Sequence, residues 1–281
     1  MPDIAIVADR LGWEERSLIE RGASFGFRVS WVNDEDLCLG HPGNPALAKF
    51  DIALIRSRSY TRGGLIASLA EANGTRVLNT SHAIHTCENK AALRALLDRA
   101  KVPVLDYRLV LSRKDFTKAV DELQVPVVLK PVFGGMGKRV TLIRHADSAQ
   151  SVYDYVEDLG HAFEQACLVE PYLGGTSVRC LVVGRDLVGV AEFASAGKDW
   201  RSNAALGNEN RALDHDPELV KIVDSVVSEL GEGIYGVDLF RTQNGYVVNE
   251  VNHAPAFRAV ATATGTDVPS TILGYLQELL Q

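Results

Sequence analysis

Apolar positions recur along this chain in two alternating rhythms. Ile4–Ala8 is a short continuous apolar run, as a buried strand shows, and Glu14–Gly22 follows at helical spacing with Leu18 and Ile19 on one side. Arg28–Val32, Phe50–Ile55 and Arg76–Leu78 read as further strands, with Gly64–Ala72 helical before the last. Strands alternating with helices predict a parallel, doubly wound sheet over roughly residues 1–80. The turn after the first strand is Asp9-Arg10-Leu11-Gly12-Trp13, which lacks Gly-x-Gly-x-x-Gly, so no dinucleotide site is expected there.

The next stretch changes character. Asn89–Ala100 predicts a helix with Ala92, Leu93, Leu96 and Leu97 on one face, ended by Val102-Pro103. Arg108–Leu111, Val125–Pro131 and Val140–Ile143 read as strands, and Lys114–Leu123 (burying Phe116, Val120 and Leu123) and Ser148–Leu159 as helices, a small α+β unit over 101–165. The remainder is strand-rich: Ala166–Val169, Arg179–Val183, Leu187–Phe193, Gly236–Arg241 and Tyr246–Asn252. One helix interrupts it, with Asp216 as N-cap, Pro217 at its first position, a stripe of Leu219, Ile222, Val223, Val226, Val227 and Leu230, and Gly231 as the stop. Leu273–Leu280 closes the chain as a helix.

Composition narrows the function classes. The 281 residues are 46% hydrophobic and carry a net charge of −7, which disfavours a general nucleic-acid binder. No apolar run reaches the roughly 18 residues of a membrane span, and no basic, apolar leader opens the sequence, so a cytoplasmic location is the default expectation. Cys38, Cys87, Cys167 and Cys180 are too scattered for a zinc ribbon and too few for a disulfide framework, so they are expected reduced and mostly buried.

Three clusters carry candidate chemistry. In Val128-Leu129-Lys130-Pro131-Val132-Phe133-Gly134-Gly135-Met136-Gly137-Lys138 an apolar strand delivers a lysine into a glycine-rich turn, whose amides can approach phosphate oxygens. It is not a P-loop, because no Ser or Thr follows Lys138 and a strand comes next; alone it would pass for a hairpin loop. In the second cluster, Gly236-Val237-Asp238-Leu239-Phe240 and Asn249-Glu250-Val251-Asn252-His253, a three-residue loop Gln243-Asn244-Gly245 would set Thr242 opposite Tyr246 and Asp238 opposite Glu250. Asp238, Glu250 and Asn252 would then converge as hard oxygen ligands suited to Mg²⁺ carrying phosphates. A two-residue Asn-Gly turn would slip the register by one and part them. The third cluster, Lys198-Asp199-Trp200-Arg201-Ser202-Asn203, reads alone as a polar loop, and Lys90 alone as a solvated helix residue.

Taken in order, Asn89-Lys90, Val128–Pro131, Gly134–Lys138, Asp199–Asn203 and Asn249–His253 resemble the ATP-grasp superfamily over nearly the whole chain, most closely its RimK-like branch and, within it, the LysX family. The resemblance implies an α/β (α+β) ATP-grasp fold: an N-terminal doubly wound parallel-sheet domain over 1–85, a small central lid over 86–166 and a C-terminal antiparallel-sheet domain over 167–281. It implies ATP with two Mg²⁺, for which Mn²⁺ can substitute. Lys90, Lys130 and the loop Gly134, Gly135, Met136, Gly137 and Lys138 would contact phosphates. The hinge Val169-Glu170-Pro171-Tyr172-Leu173 would read adenine through its backbone, with Ser177 near the ribose. Asp238, Glu250 and Asn252 would hold metal, Arg179, Arg201 and Asn203 would serve catalysis, and His253 and Arg258 would lie at the substrate end.

The implied reaction joins an amino acid to the C-terminal glutamate of a small acidic amino-group carrier protein through an acylphosphate, with Mg²⁺, lysines and arginines neutralising developing charge. A RimK-like glutamyl ligase acting on a ribosomal protein, a peptide natural-product ligase and an inactive nucleotide-binding module are the alternatives. The resemblance also implies a homo-oligomer, dimer or tetramer. The chain departs from the family at Glu170-Pro171, where Gln-Glu is usual, at Ser177, where an acid is usual, and at Ala256 and Ala259, which are usually more polar. These departures leave the amino acid open. An acidic carrier meeting a net-negative enzyme needs a local basic patch, and Arg56, Arg58 and Arg62, at the ligand end of a parallel strand, are the candidates.

Overall fold

The computed structural model describes residues 1–40, 46–135, 139–158, 166–174, 176–194 and 210–281. Its strands form three sheets. The first is parallel, in the order β2 (Arg28–Asn33), β1 (Asp3–Ala8), β3 (Ile52–Ile55), β4 (Val77–Leu78), with helices α1 (Trp13–Gly22) and α2 (Arg62–Ala72) as its crossovers. Both faces of β1 are covered, which is why its sequence is continuously apolar rather than alternating: Ile4 and Ile6 pack into one core, Ala5 and Val7 into another. No helix among the described residues is long and apolar enough to cross a membrane.

The central sheet is antiparallel, in the order β5 (Arg108–Val110), β8 (Cys167–Pro171), β6 (Val127–Pro131), β7 (Thr141–Ile143). Period-two alternation divides its side chains. Val127, Leu129, Ile143, Cys167 and Val169 face helices α5 (Arg113–Leu123) and α6 (Ala146–Asp158), where Phe116 stacks on Tyr153 with ring centroids 4.7 Å apart. The intervening residues of β6 and β8, Val128 and Lys130 with Leu168 and Glu170, take the other face. The expected boundary at 166/167 therefore needs correcting. Strand β8 lies inside the central sheet, because the edge strand β5 and the inner strand β6 both pair with it, and the sheet extends to Pro171.

The third sheet runs β11 (Asn210–Ala212), β10 (Asp186–Phe193), β9 (Ser177–Gly184), β12 (Gly233–Thr242), β13 (Gly245–Asn252). One face, with Val178, Cys180, Val182, Val237, Leu239 and Val251, buries the stripe of α7 (Pro217–Leu230), and all six stripe positions read from the sequence are in that core. Helix α4 (Lys90–Arg99) joins the same core through Leu93 and Leu97; its buried face is Lys90, Leu93, Arg94 and Leu97, one position round from the expected one, and Ala92 is exposed. The opposite face is split. Its far half, Leu181, Val183 and Ala191, packs on α8 (Arg258–Thr264), α9 (Val268–Leu279) and the parallel sheet. The near half carries Arg179 and Asp238.

The β12–β13 hairpin forms neither expected turn. Gln243-Asn244 is the loop, Thr242 opposes Gly245 and Arg241 opposes Tyr246, one step off the expected register. A β-bulge then inserts Asn249: Leu239 opposes Val248 while Asp238 opposes Glu250, so the carboxylate pair meets as expected by a different route. Sequence reading missed α3 (Ser81–Glu88), α8 and β11, elements of eight, seven and three residues, too short to display a period. All four cysteines are outside disulfides, and burial pushes the Cys167 and Cys180 thiols up to about 11 and about 12, so neither is a reactive thiolate.

The core under the central sheet yields a test. Among the described residues, the buried Tyr153 hydroxyl has no hydrogen-bond partner. Tyr153→Phe is expected to leave stability within about 1 kcal/mol of wild type or above it, whereas Phe116→Ala costs roughly 3–5 kcal/mol; urea midpoints of both variants check this.

Candidate active site

The central and C-terminal sheets present their polar faces to one seam. Strand β6 extends Lys130 into it and β13 supplies Asn249, whose side-chain oxygen accepts a hydrogen bond from the Lys130 ammonium at 3.0 Å. Lys130 also pairs with Glu170 on neighbouring β8. Helix α4 opens with Asn89 as N-cap, its side chain accepting from the Ala92 amide at 3.0 Å, so the first helical residue, Lys90, points at the glycine-rich segment. There the Lys90 ammonium donates to the Gly134 carbonyl and its amide to Val132 O at 3.1 Å. Lys90 and Lys130 are each 7% exposed, so neither is a solvated surface lysine.

Across the seam, β9 and β12 set Arg179 beside Asp238. The guanidinium grips the carboxylate through both oxygens, Nε to Oδ1 and Nη2 to Oδ2, each at 2.6 Å. Asn252 Nδ2 donates to Asp238 Oδ2 at 3.0 Å and reaches Glu250 Oε1 at 3.5 Å. Burial pushes Asp238 up; Arg179 opposes the rise and Glu250 adds to it. Burial would raise Glu250 too, but Lys90, Lys130 and Arg179 outweigh it and hold Glu250 below the usual carboxylate range. Burial likewise lowers Lys130, with Glu170 pulling the other way. Two facing carboxylates repel each other, and Arg179 is a cation already placed beside them.

Whether this face suits a divalent cation can be judged from its donors. No cluster of three or more His, Cys, Asp or Glu among the described residues could hold a metal by itself. Two carboxylates and an amide do converge, and Glu250 forms no ion pair among the described residues. Such a partial oxygen set fits Mg²⁺, which characteristically completes its shell with water and substrate phosphates.

Other sequence candidates fall elsewhere. Met136, Gly137, Lys138, Arg201 and Asn203 lie outside the described residues. Gly134 has φ +151°, Gly135 is half-buried, and Ser177 is half-buried at the start of β9. Glu170 is not an open hinge residue: it is buried between Lys130 and Arg94. In the hinge, Pro171 has no N–H and the Tyr172 amide donates to Pro126 O at 3.0 Å, while Leu173 is exposed. His253, expected to face substrate, is buried with Nε2 2.7 Å from Glu88 Oε1, and its carbonyl accepts from Asn79. Arg258 is exposed, with its guanidinium carbon 5.5 Å from the centre of the Trp13 ring.

The proposed basic patch also needs revision. Arg56 is 3% exposed, bonded to Glu15 at 2.7 Å and to Pro255 O at 3.1 Å, and so belongs to the interior. Arg62 pairs with Asp34 and Glu35. Arg58 keeps partial exposure, 4.0 Å from Glu15. Sequence reading passed over Arg94 and Asn249. The signal for Arg94 was available: four residues after Lys90, it shares that lysine's helix face.

One family model, the RimK-like ATP-grasp domain, matches residues 87–276. The chain belongs to the RimK-like ATP-grasp family. A second model, the LysX preATP-grasp domain, matches this ATP-grasp protein over residues 4–86. It is 30% identical over 240 residues to glutamate–LysW ligase ArgX of Sulfurisphaera tokodaii, covering 84% of this chain and 85% of the relative. It is 24% identical to α-aminoadipate–LysW ligase LysX of the same organism, covering 99% of each chain. A solved RimK domain ATP-grasp protein from Sphaerobacter thermophilus matches at TM-score 0.82 and 30% identity, over 97% of this chain and 98% of that one. The protein is thus an ATP-grasp ligase, an enzyme class that forms carbon–nitrogen bonds.

The buried pair at Glu15 yields a test. Arg56→Ala is expected to destabilise the fold by roughly 3–5 kcal/mol, because it strands a buried carboxylate. Burial raises the Glu15 carboxyl, but Arg56 more than offsets this and holds it below its usual value. Its stabilisation is therefore fully present above about pH 4.3 and lost as pH falls through the lower folded value. Thermal melts of wild type and Arg56→Ala between neutral and acid pH should converge.

Proposed function

We propose that this ligase uses ATP to join an amino acid to the C-terminal glutamate of a small acidic carrier protein. The observation carrying this reading is the seam itself: Lys90 and Lys130 on one side and Asp238, Glu250 and Asn252 on the other, in a chain related over nearly its full length to LysW ligases. A carboxylate resists attack by an amine because oxide is a poor leaving group, and transfer of a phosphoryl group to it, giving an acylphosphate, removes that obstacle.

Each side chain has a part in that scheme. Lys90 and Lys130 bind phosphate oxygens, and both are held on regular elements, so little ordering is needed. Gly134, tethered to Lys90, would let the backbone approach those oxygens closely. The Tyr172 amide is engaged by Pro126 O, so the Leu173 amide, the next donor along the chain, would serve the base. Asp238, Glu250 and Asn252 would hold Mg²⁺, which supplies Lewis-acid neutralisation of phosphoryl charge when bound. Arg179 fixes Asp238 and also reaches the Ala256 carbonyl at 3.5 Å, so it orders the loop leading to Arg258. Arg58 and Arg258 flank Gly12-Trp13 at the start of α1 and form the basic surface an acidic carrier would meet.

The decisive assay supplies ATP, Mg²⁺, a carrier ending in glutamate, and either glutamate or α-aminoadipate. Sustained ADP release should require carrier and amino acid together, and the carrier's mass should rise by one residue. ADP release indifferent to the carrier would refute the reading. Asp238→Asn with Glu250→Gln should abolish turnover and also lower the melting temperature, because the Arg179 guanidinium loses its buried partner. Arg58→Glu with Arg258→Glu should raise the carrier's KM several-fold and flatten its rise with salt, while KM for ATP holds; an unchanged carrier KM would remove the patch from the proposal.

A further inference from the structure

Arg94 is 1% exposed and sits on α4, which is anchored in the C-terminal core by Leu93 and Leu97. Its Nη2 donates to Glu170 Oε1 at 2.8 Å and reaches Asn249 Oδ1 at 3.5 Å, and its Nη1 donates to the Val248 carbonyl. Glu170, also 1% exposed, gives its other oxygen, Oε2, to Lys130. One buried carboxylate thus serves two cations, one oxygen each. Asn249, the bulge residue, accepts from both cations.

This arrangement poses a problem that Arg94 solves. If Lys130 is to bind phosphate, its ammonium must slacken its hold on Glu170. Were Lys130 the sole partner, its departure would strand a buried carboxylate, and breaking a buried pair from one side is strongly unfavourable. With Arg94 in place, Glu170 stays compensated. We infer that Arg94 is a positioning residue that makes Lys130 exchangeable, keeping Glu170 neutralised while the lysine turns from its resting partners to the nucleotide. Arg94 touches neither nucleotide nor substrate in this scheme; it acts through Glu170. The inference rests on the reading of Lys130 as a phosphate ligand.

The test measures the Kd of a nonhydrolysable ATP analogue with Mg²⁺ by calorimetry, with no acceptor present. Arg94→Gln, which retains donors for Val248 and Asn249 but no charge, should weaken binding about tenfold, because Lys130 becomes the only counter-ion of Glu170. Adding Glu170→Gln should restore the affinity, because the lysine is then released. A purely structural strut predicts the opposite, two losses that add. Glu170→Gln alone should bind the analogue at least as tightly as wild type, and this variant decides the matter if Arg94→Gln does not fold; a marked weakening in it overturns the inference. Lys130→Ala separates the two levels. If it leaves nucleotide affinity intact, the phosphate reading of Lys130 fails. If it weakens binding but Arg94→Gln and Glu170→Gln show no rescue, only the role of Arg94 falls.

Discussion

Buried charge has to be compensated, and in this protein the compensation spans two sheets and a helix. Lys130 and Glu170 come from the central sheet, Arg94 from the helix under the C-terminal sheet, and Arg179, Asp238, Glu250 and Asn249 from that sheet itself. Remove any one element and a charge is left in a low-dielectric seam without its partner. The relative placement of the two sheets is therefore coupled to the chemistry they enclose. The same charges that would engage a nucleotide hold the seam together before one arrives.

The sheets can do this because each divides its faces cleanly. The central sheet buries Leu129 and Val169 against α5 and α6 and turns Lys130 and Glu170 the other way. The C-terminal sheet buries Val237 and Val251 against α7 and turns Asp238 and Glu250 away. Alternation in a strand makes each apolar anchor a guarantor of its polar neighbour's direction. The bulge at Asn249 shifts this alternation by one residue, so that Val248 still reaches the core while Glu250 opposes Asp238.

The N-terminal sheet contributes by bracing. Asn79 reaches from the end of β4 to the Ile234 backbone at both its amide and its carbonyl, and to the His253 carbonyl, while Arg56 ties Glu15 to Pro255. These bonds hold the segment after β13, which leads from Asn252 to Arg258, against the start of α1. What looked in sequence like a run of surface arginines is in part this internal brace.

Local pattern determined a good deal by itself. The parallel strands, the α7 stripe with its caps, the lysine-bearing strand before a glycine-rich turn, and the Asp238 and Glu250 strands were all legible, because each depends on residues near one another in the chain. So was the ATP-grasp likeness, which rests on the order of short motifs. What pattern could not decide were the matters that depend on distant partners. Strand β8 belongs to the central sheet because β5 and β6 pair with it. Arg56 and Lys90 are interior because Glu15 and the Gly134 carbonyl meet them there. The hairpin turn was misread by one residue and corrected by a bulge, since register is settled by which side chains the core accepts and not by the turn alone. Arg94 shares the helix face of Lys90, which the spacing shows; that this face is interior is settled by the approach of Glu170, 76 positions later.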